Sequence, residues 1–203
     1  MVTVFSCMLP DDDFPVVLHS VTTPPRGLNE LSGVGVFPGA FNPLHFGHRS
    51  LRRIAEKILA QDVVYELSVA NVEKSSLTED DIRLRLQQFD DSSIAVTAAP
   101  RFVDKAALFR RCCFVVGVDT AERIVRPSFY NGRLDEMHSA LQQLLDMGNR
   151  FLVGGRLCRR AGTARFLGVD DLQIPERFQE LFVGVPESLF REDISSTELR
   201  RNS

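Results

Sequence analysis

The chain has 203 residues, 44% of them hydrophobic, with 27 acidic against 24 basic side chains and a net charge of −3. That is enough apolar material for one full core, and the slightly acidic balance argues against a surface built to hold nucleic acid. No apolar run approaches the roughly 18 residues of a membrane span, and no basic region precedes the apolar residues at the N-terminus, so neither an anchor nor a secretory leader is expected.

Residues 1–31 are set apart as an N-terminal extension, and residues 32–203 as the domain proper. Within the extension, Val16 to Val21 has the composition of a strand and Thr23-Pro24-Pro25-Arg26-Gly27 breaks it, which makes the segment either an extra edge element or a leader over the core. Val34 to Phe37 is a short apolar run with the flanks of a buried strand, stopped by Pro38-Gly39 and Asn42-Pro43. After His48, Leu51, Ile54, Ala55, Ile58 and Leu59 recur at helical spacing. Strand, glycine-containing loop and helix in that order bring backbone N–H groups and a positive dipole end to one spot, which suits a phosphate. His45 and His48 stand there, and an imidazole that titrates near neutral pH can donate to a phosphoryl oxygen as charge builds.

Val63 to Ala70 reads as the second strand, followed by a loop through Ser76 and a helix capped by Thr78, with Ile82, Leu84, Leu86 and Phe89 as candidate core positions. Ile94 to Thr97 is a third strand, Phe102 to Phe109 a short helix, and Cys113 to Val118 a fully apolar strand closed by the carboxylate of Asp119. Thr120 to Val125 and Leu134 to Met147 look helical, Phe151 to Gly155 is a fifth strand, Leu157 to Leu167 a small hairpin, and Leu181 to Val185 the last strand. The alternation predicts an α/β fold with a doubly wound parallel sheet, its ligands beyond the carboxyl ends of the strands. Cys7, Cys112, Cys113 and Cys158 lack zinc-finger or redox-motif spacing and read as reduced, mostly packing thiols of a cytoplasmic protein. Ser195, Ser196 and Thr197 are placed to cap a final helix, and hydroxyls and N–H groups at a helix start also bind phosphates, with Arg200 adding a charged fork.

The pattern Gly39-x-Phe41-x-Pro43-x-His45-x-Gly47-His48, together with Ile194-Ser195-Ser196-Thr197-x-Leu199-Arg200, resembles the two signatures of the nucleotidylyltransferase superfamily. It is most similar to the nicotinate and nicotinamide mononucleotide adenylyltransferases and to the branch described as cytidylyltransferase-like. The resemblance implies a Rossmann-like fold and an enzyme that moves a nucleotidyl group, most simply AMP from ATP, onto the phosphate of a small acceptor such as a mononucleotide, releasing pyrophosphate. A cytidylyltransferase using CTP, or a nucleotide-binding module without turnover, are the alternatives. His45, His48 and Lys74 take the catalytic roles in this reading. Gly39, Phe41, Gly47, Asp119, Ser195, Ser196, Thr197 and Arg200 hold the nucleotide. Lys105 and Arg85 contact the acceptor, with Arg156 similar to Lys105. Magnesium is expected to travel with the triphosphate and to need no metal cage of its own. Ala40 departs from relatives that carry Ser or Thr at that place. Oligomeric state and acceptor identity stay open.

Overall fold

The computed structural model describes residues 5–7, 16–19, 33–69, 77–89, 94–160 and 163–191. In chain order these form β1 (Phe5–Cys7), β2 (Val16–His19), β3 (Gly35–Pro38), α1 (Phe46–Leu59), β4 (Val63–Ser68), α2 (Glu79–Leu86), β5 (Ile94–Thr97), α3 (Phe102–Leu108), β6 (Cys113–Gly117), α4 (Val118–Ile124), α5 (Leu134–Asp146), β7 (Arg150–Gly154), β8 (Arg156–Arg160), β9 (Thr163–Leu167) and β10 (Phe182–Gly184). Short 3-10 turns lie at Pro127–Tyr130, Val169–Asp171 and Glu176–Leu181.

Six strands in the order β5-β4-β3-β6-β7-β10 run parallel as the centre of one sheet. The chain winds outward from β3 in one direction and, from β6, in the other, so the switch point lies between β3 and β6. Strand residues alternate between two apolar layers, because successive side chains of a strand point to opposite faces. Phe37, Tyr65, Val115 and Leu152 face Leu51 and Ala55 of α1; Val36, Val64, Phe114, Val116 and Phe151 face Ala106 of α3, Ala121 of α4 and Leu141 of α5. Each large side chain buried this way contributes about 1.5–3 kcal/mol against exposure. The strands are apolar on both faces for that reason, as expected of a parallel sheet covered by helices.

The strand expected at residues 16–21 is β2, paired antiparallel with β5, and β1 pairs antiparallel with β2. This part of the N-terminal extension is therefore an edge element of the same sheet. The hairpin expected at residues 157–167 is the separate two-stranded β8–β9 sheet. Thr78 caps α2 as expected, its hydroxyl accepting the Asp81 N–H at 3.2 Å. The helix is short, however, and Leu84 is 64% exposed rather than part of the core. Ile82 and Leu86 lie one turn apart on α2 and pack with Phe89, just beyond its end, against the core, and Leu84 falls on the other side of the helix. Among the described residues, Cys112, Cys113 and Cys158 are free thiols, and no helix is long and apolar enough to cross a membrane.

Candidate active site

The loop after β3 is shaped by an aromatic wedge. Gly39 donates its N–H to the Glu66 carbonyl at 2.9 Å, closing the loop onto β4. A Cβ at Gly39 would stand 2.6 Å from the Phe41 ring, so the chain passes there only as glycine. Phe41 takes a positive φ of 44° and drives its ring, 1% exposed, between Phe37, Tyr65, Phe89 and His48, all at edge-on angles. The Asn42–Pro43 peptide is cis. Phe41 was expected among the residues that hold the nucleotide; its ring is a buried strut, which leaves the loop backbone as the part of it that can face a ligand. Gly47, in the first turn of α1, is buried as well.

His45 is the N-cap of α1, with extended backbone (φ −130°, ψ 173°), and His48 sits three residues into the helix. Their rings stack with centroids 3.7 Å apart. The His45 N–H donates to Nδ1 of His48 at 3.3 Å, which places the ring proton of neutral His48 on Nε2. Burial, then the neighbouring His45, pushes the His48 pKa down to about 3; burial lowers that of His45 as well. The expectation of a group titrating near neutrality is thus corrected: packed against Phe37 and Phe41, His48 is a neutral N–H donor at pH 7. No acidic residue occupies the first turn of α1, so no carboxylate of that turn offsets the positive end of the 14-residue helix.

Helix α2 closes over the loop from outside. Arg85 donates from Nη1 to the Ala40 carbonyl at 2.8 Å, bringing a guanidinium beside the loop. Gln88 bonds the backbone on both sides of the Asn42–Pro43 turn, and its own carbonyl accepts from Arg49 of α1. No motif marked Gln88, because its role depends on contacts 39 to 47 residues away in sequence.

Asp119 does not end the strand, as the apolar run suggested. β6 stops at Gly117, and Asp119 is the second residue of α4, where a carboxylate complements the helix dipole. It holds a two-pronged ion pair with Arg156, Oδ2 to Nε at 2.8 Å and Oδ1 to Nη2 at 2.9 Å, which raises the Arg156 pKa. The carboxylate borders a cleft of about 370 Å³ whose apolar wall is Val118, Val125, Pro127, Leu167 and Leu172. Since β3 and β6 are parallel neighbours, the histidine pair and Asp119 both follow the carboxyl ends of the strands that flank the switch point.

Lys105 was expected in the acceptor pocket and instead turns inward. Its ammonium, 5% exposed, lies 2.8 and 2.9 Å from the two Glu66 carboxylate oxygens and donates to the Ala99 carbonyl at 2.7 Å. The Thr97 hydroxyl bonds the same carboxylate. An amphipathic helix start gave no sign of this, because the partner lies on β4, 39 residues earlier. Lys74, Ser195, Ser196, Thr197 and Arg200 lie outside the described residues.

A search of curated proteins finds no match. A family model described as cytidylyltransferase-like matches residues 36–202, from the second residue of β3 onward, and so takes in nearly all of the parallel sheet, the histidine loop and the Ser195–Arg200 segment. The match covers most of the chain and agrees with a doubly wound sheet whose helix start gathers donors at the switch point, and the protein therefore belongs to the cytidylyltransferase-like family as a nucleotidyltransferase that binds a nucleoside triphosphate.

Proposed function

We propose that the enzyme transfers AMP from ATP to the phosphate of a small acceptor, such as a nicotinate or nicotinamide mononucleotide. A nonbridging oxygen of the acceptor phosphate attacks the α-phosphorus, the bond from that phosphorus to the α–β bridging oxygen breaks, and pyrophosphate leaves with the bonding electrons. The observation that carries this reading is the stacked His45–His48 pair at the acid-free start of α1. A neutral Nε2–H at His48 can donate to an α-phosphoryl oxygen as negative charge builds, without first losing or gaining a proton. His45, as the N-cap, lies beside it.

In this scheme Lys74, Ser195, Ser196, Thr197 and Arg200 bind the phosphates, and the backbone around Gly39 and Gly47 cradles them. Asp119, paired to Arg156, orients the nucleotide-side substrate. Arg85 stands beside Ala40, so a cation is at hand where relatives place a hydroxyl. Magnesium would ride on the triphosphate, whose oxygens are the hard ligands it prefers; among the described residues no three metal-ligating side chains gather at one point. Positioning and charge stabilisation supply the rate in such direct phosphoryl chemistry.

CTP in place of ATP is the second reading, prompted by a family described as cytidylyltransferase-like. One assay separates the readings: pyrophosphate release with each nucleoside triphosphate, against mononucleotide, phosphopantetheine and phosphocholine acceptors. Release with ATP and a mononucleotide is the expected result. Release only with CTP overturns the choice of base, and triphosphate binding without any release makes the chain a nucleotide-binding module.

A further inference from the structure

The two residues that bracket the histidine pair, Leu44 before His45 and Arg49 after His48, are both bonded to Gln88. Leu44 donates its N–H to Oε1 of Gln88 at 2.7 Å, and Arg49 donates from Nη2 to the Gln88 carbonyl at 2.8 Å. Gln88 completes the grip by donating from Nε2 to the Phe41 carbonyl at 2.9 Å. One carboxamide therefore satisfies an acceptor and a donor on the two sides of the Asn42–Pro43 turn, as a neighbouring strand would. The backbone bond of the same residue ties in the first turns of α1.

We propose that Gln88 is a positioning residue for nucleotidyl transfer, holding the Phe41–Leu44 turn so that His45 and His48 meet the reacting phosphorus; the inference rests on the reaction proposed above. The chemistry of the clamp selects glutamine. The turn offers one carbonyl and one N–H, and an amide supplies the matching donor and acceptor at that spacing. A carboxylate would set an oxygen against the Phe41 carbonyl, and an apolar side chain would leave both backbone groups unanswered in a half-buried place. The fold of the core does not require the clamp. Ile82, Leu86 and Phe89 pack against the apolar cluster that holds Leu51 and Ala55 of α1, and the Phe41 ring is packed by Phe37, Tyr65 and Phe89. What Gln88 adds is register between the loop and the helix start, where displacement of a reacting group by about 1 Å costs on the order of 10²-fold in rate.

The test compares Gln88→Met and Gln88→Glu with the unaltered full-length chain, reading kcat from pyrophosphate release, nucleotide Kd by calorimetry, and hydrogen exchange of the Leu44 amide. Gln88→Met should lower kcat by roughly 10- to 10²-fold. Its nucleotide Kd should stay within about twofold, and Leu44 exchange should become faster once its acceptor is lost. Gln88→Glu should be equally slow at pH 7. Its kcat relative to the unaltered chain should then recover as pH falls toward the carboxyl pKa, ordinarily about 4.3. A protonated carboxyl has the O–H donor and C=O acceptor of the amide. Arg49, bonded to the Gln88 carbonyl, and Arg85, bonded to the Ala40 carbonyl, favour the charged form and hold that recovery to acid pH; the Phe41 carbonyl opposes them. Unchanged kcat in Gln88→Met, or a kcat ratio for Gln88→Glu flat with pH, overturns the positioning role while leaving the reaction standing. A loss confined to nucleotide affinity overturns it too. An unaltered chain that releases no pyrophosphate with any acceptor overturns the proposed reaction and this inference with it.

Discussion

The backbone N–H of His45 donates to Nδ1 of His48 at 3.3 Å, and the two rings stack at 3.7 Å. The helix cap thereby fixes a tautomer: the bond occupies Nδ1, and the Nε2–H is the group His48 has to give. In nitrogen NMR of the free protein, His48 should show the Nε2–H form at pH 7 and a titration far below 6.5, near pH 3. A midpoint near 6.5 would mean that the ring is not buried against Phe37 and Phe41.

The same depressed pKa sets the sign of acid stability. Unfolded His48 takes a proton near pH 6.5 and folded His48 only near pH 3, so between those values the unfolded state binds more protons. Stability from this group is complete above pH 6.5 and falls by up to about 1.4 kcal/mol per pH unit as pH drops toward 3. Urea titrations at pH 7 and pH 5 should show that loss, and His48→Gln should reduce it.

His48→Ala should leave the fold and triphosphate affinity largely intact and cut kcat by about 10²–10³, the scale of one lost transition-state donor. Pyrophosphate release together with calorimetry reads both quantities. A fully active variant removes His48 from the chemistry.

Gly39→Ala should damage the loop from within. The added methyl would stand 2.6 Å from a Phe41 ring locked among three other buried rings and His48, so the ring cannot step aside cheaply. Overpacking of this kind costs about 1–3 kcal/mol. The melting temperature should fall and kcat with it; an alanine variant with both unchanged would show that the wedge yields.

Lys105→Met should destabilise by about 3–5 kcal/mol, because it leaves the Glu66 carboxylate buried without its cation. Replacing both, as Lys105→Met with Glu66→Gln, should recover much of that loss in urea unfolding. If Lys105→Met instead keeps full stability and raises the acceptor KM, the ammonium turns outward in the working enzyme and serves the acceptor after all.

Arg200→Ala tests the half of the site that the sequence alone supplies. It should raise the KM for nucleoside triphosphate by an amount equivalent to roughly 1.5–3 kcal/mol, the range for a hydrogen bond to a charged group. Acceptor affinity should barely move. The opposite pattern would exchange the two halves of the cleft.

The sequence by itself determined the family and most of the elements from β3 onward. Val34–Phe37, Val63–Tyr65, Phe114–Val116 and Phe151–Val153 are apolar because both faces of a parallel sheet are covered, and that demand is written locally in each run. The Gly39–His48 loop was legible for the same reason: its glycines and histidines answer needs met within ten residues. Tertiary structure alone decided what each charged or aromatic side chain does. Phe41 belongs to the core because Tyr65 and Phe89 meet it there, and Lys105 is an internal cation because Glu66 of β4 lies under α3. His48 is neutral because folding strips its water, and Gln88, just past the end of α2, meets the histidine loop only through the fold. Hydrogen bonds and desolvation depend on which groups meet in space, and a local pattern of residues carries no record of partners 40 positions away.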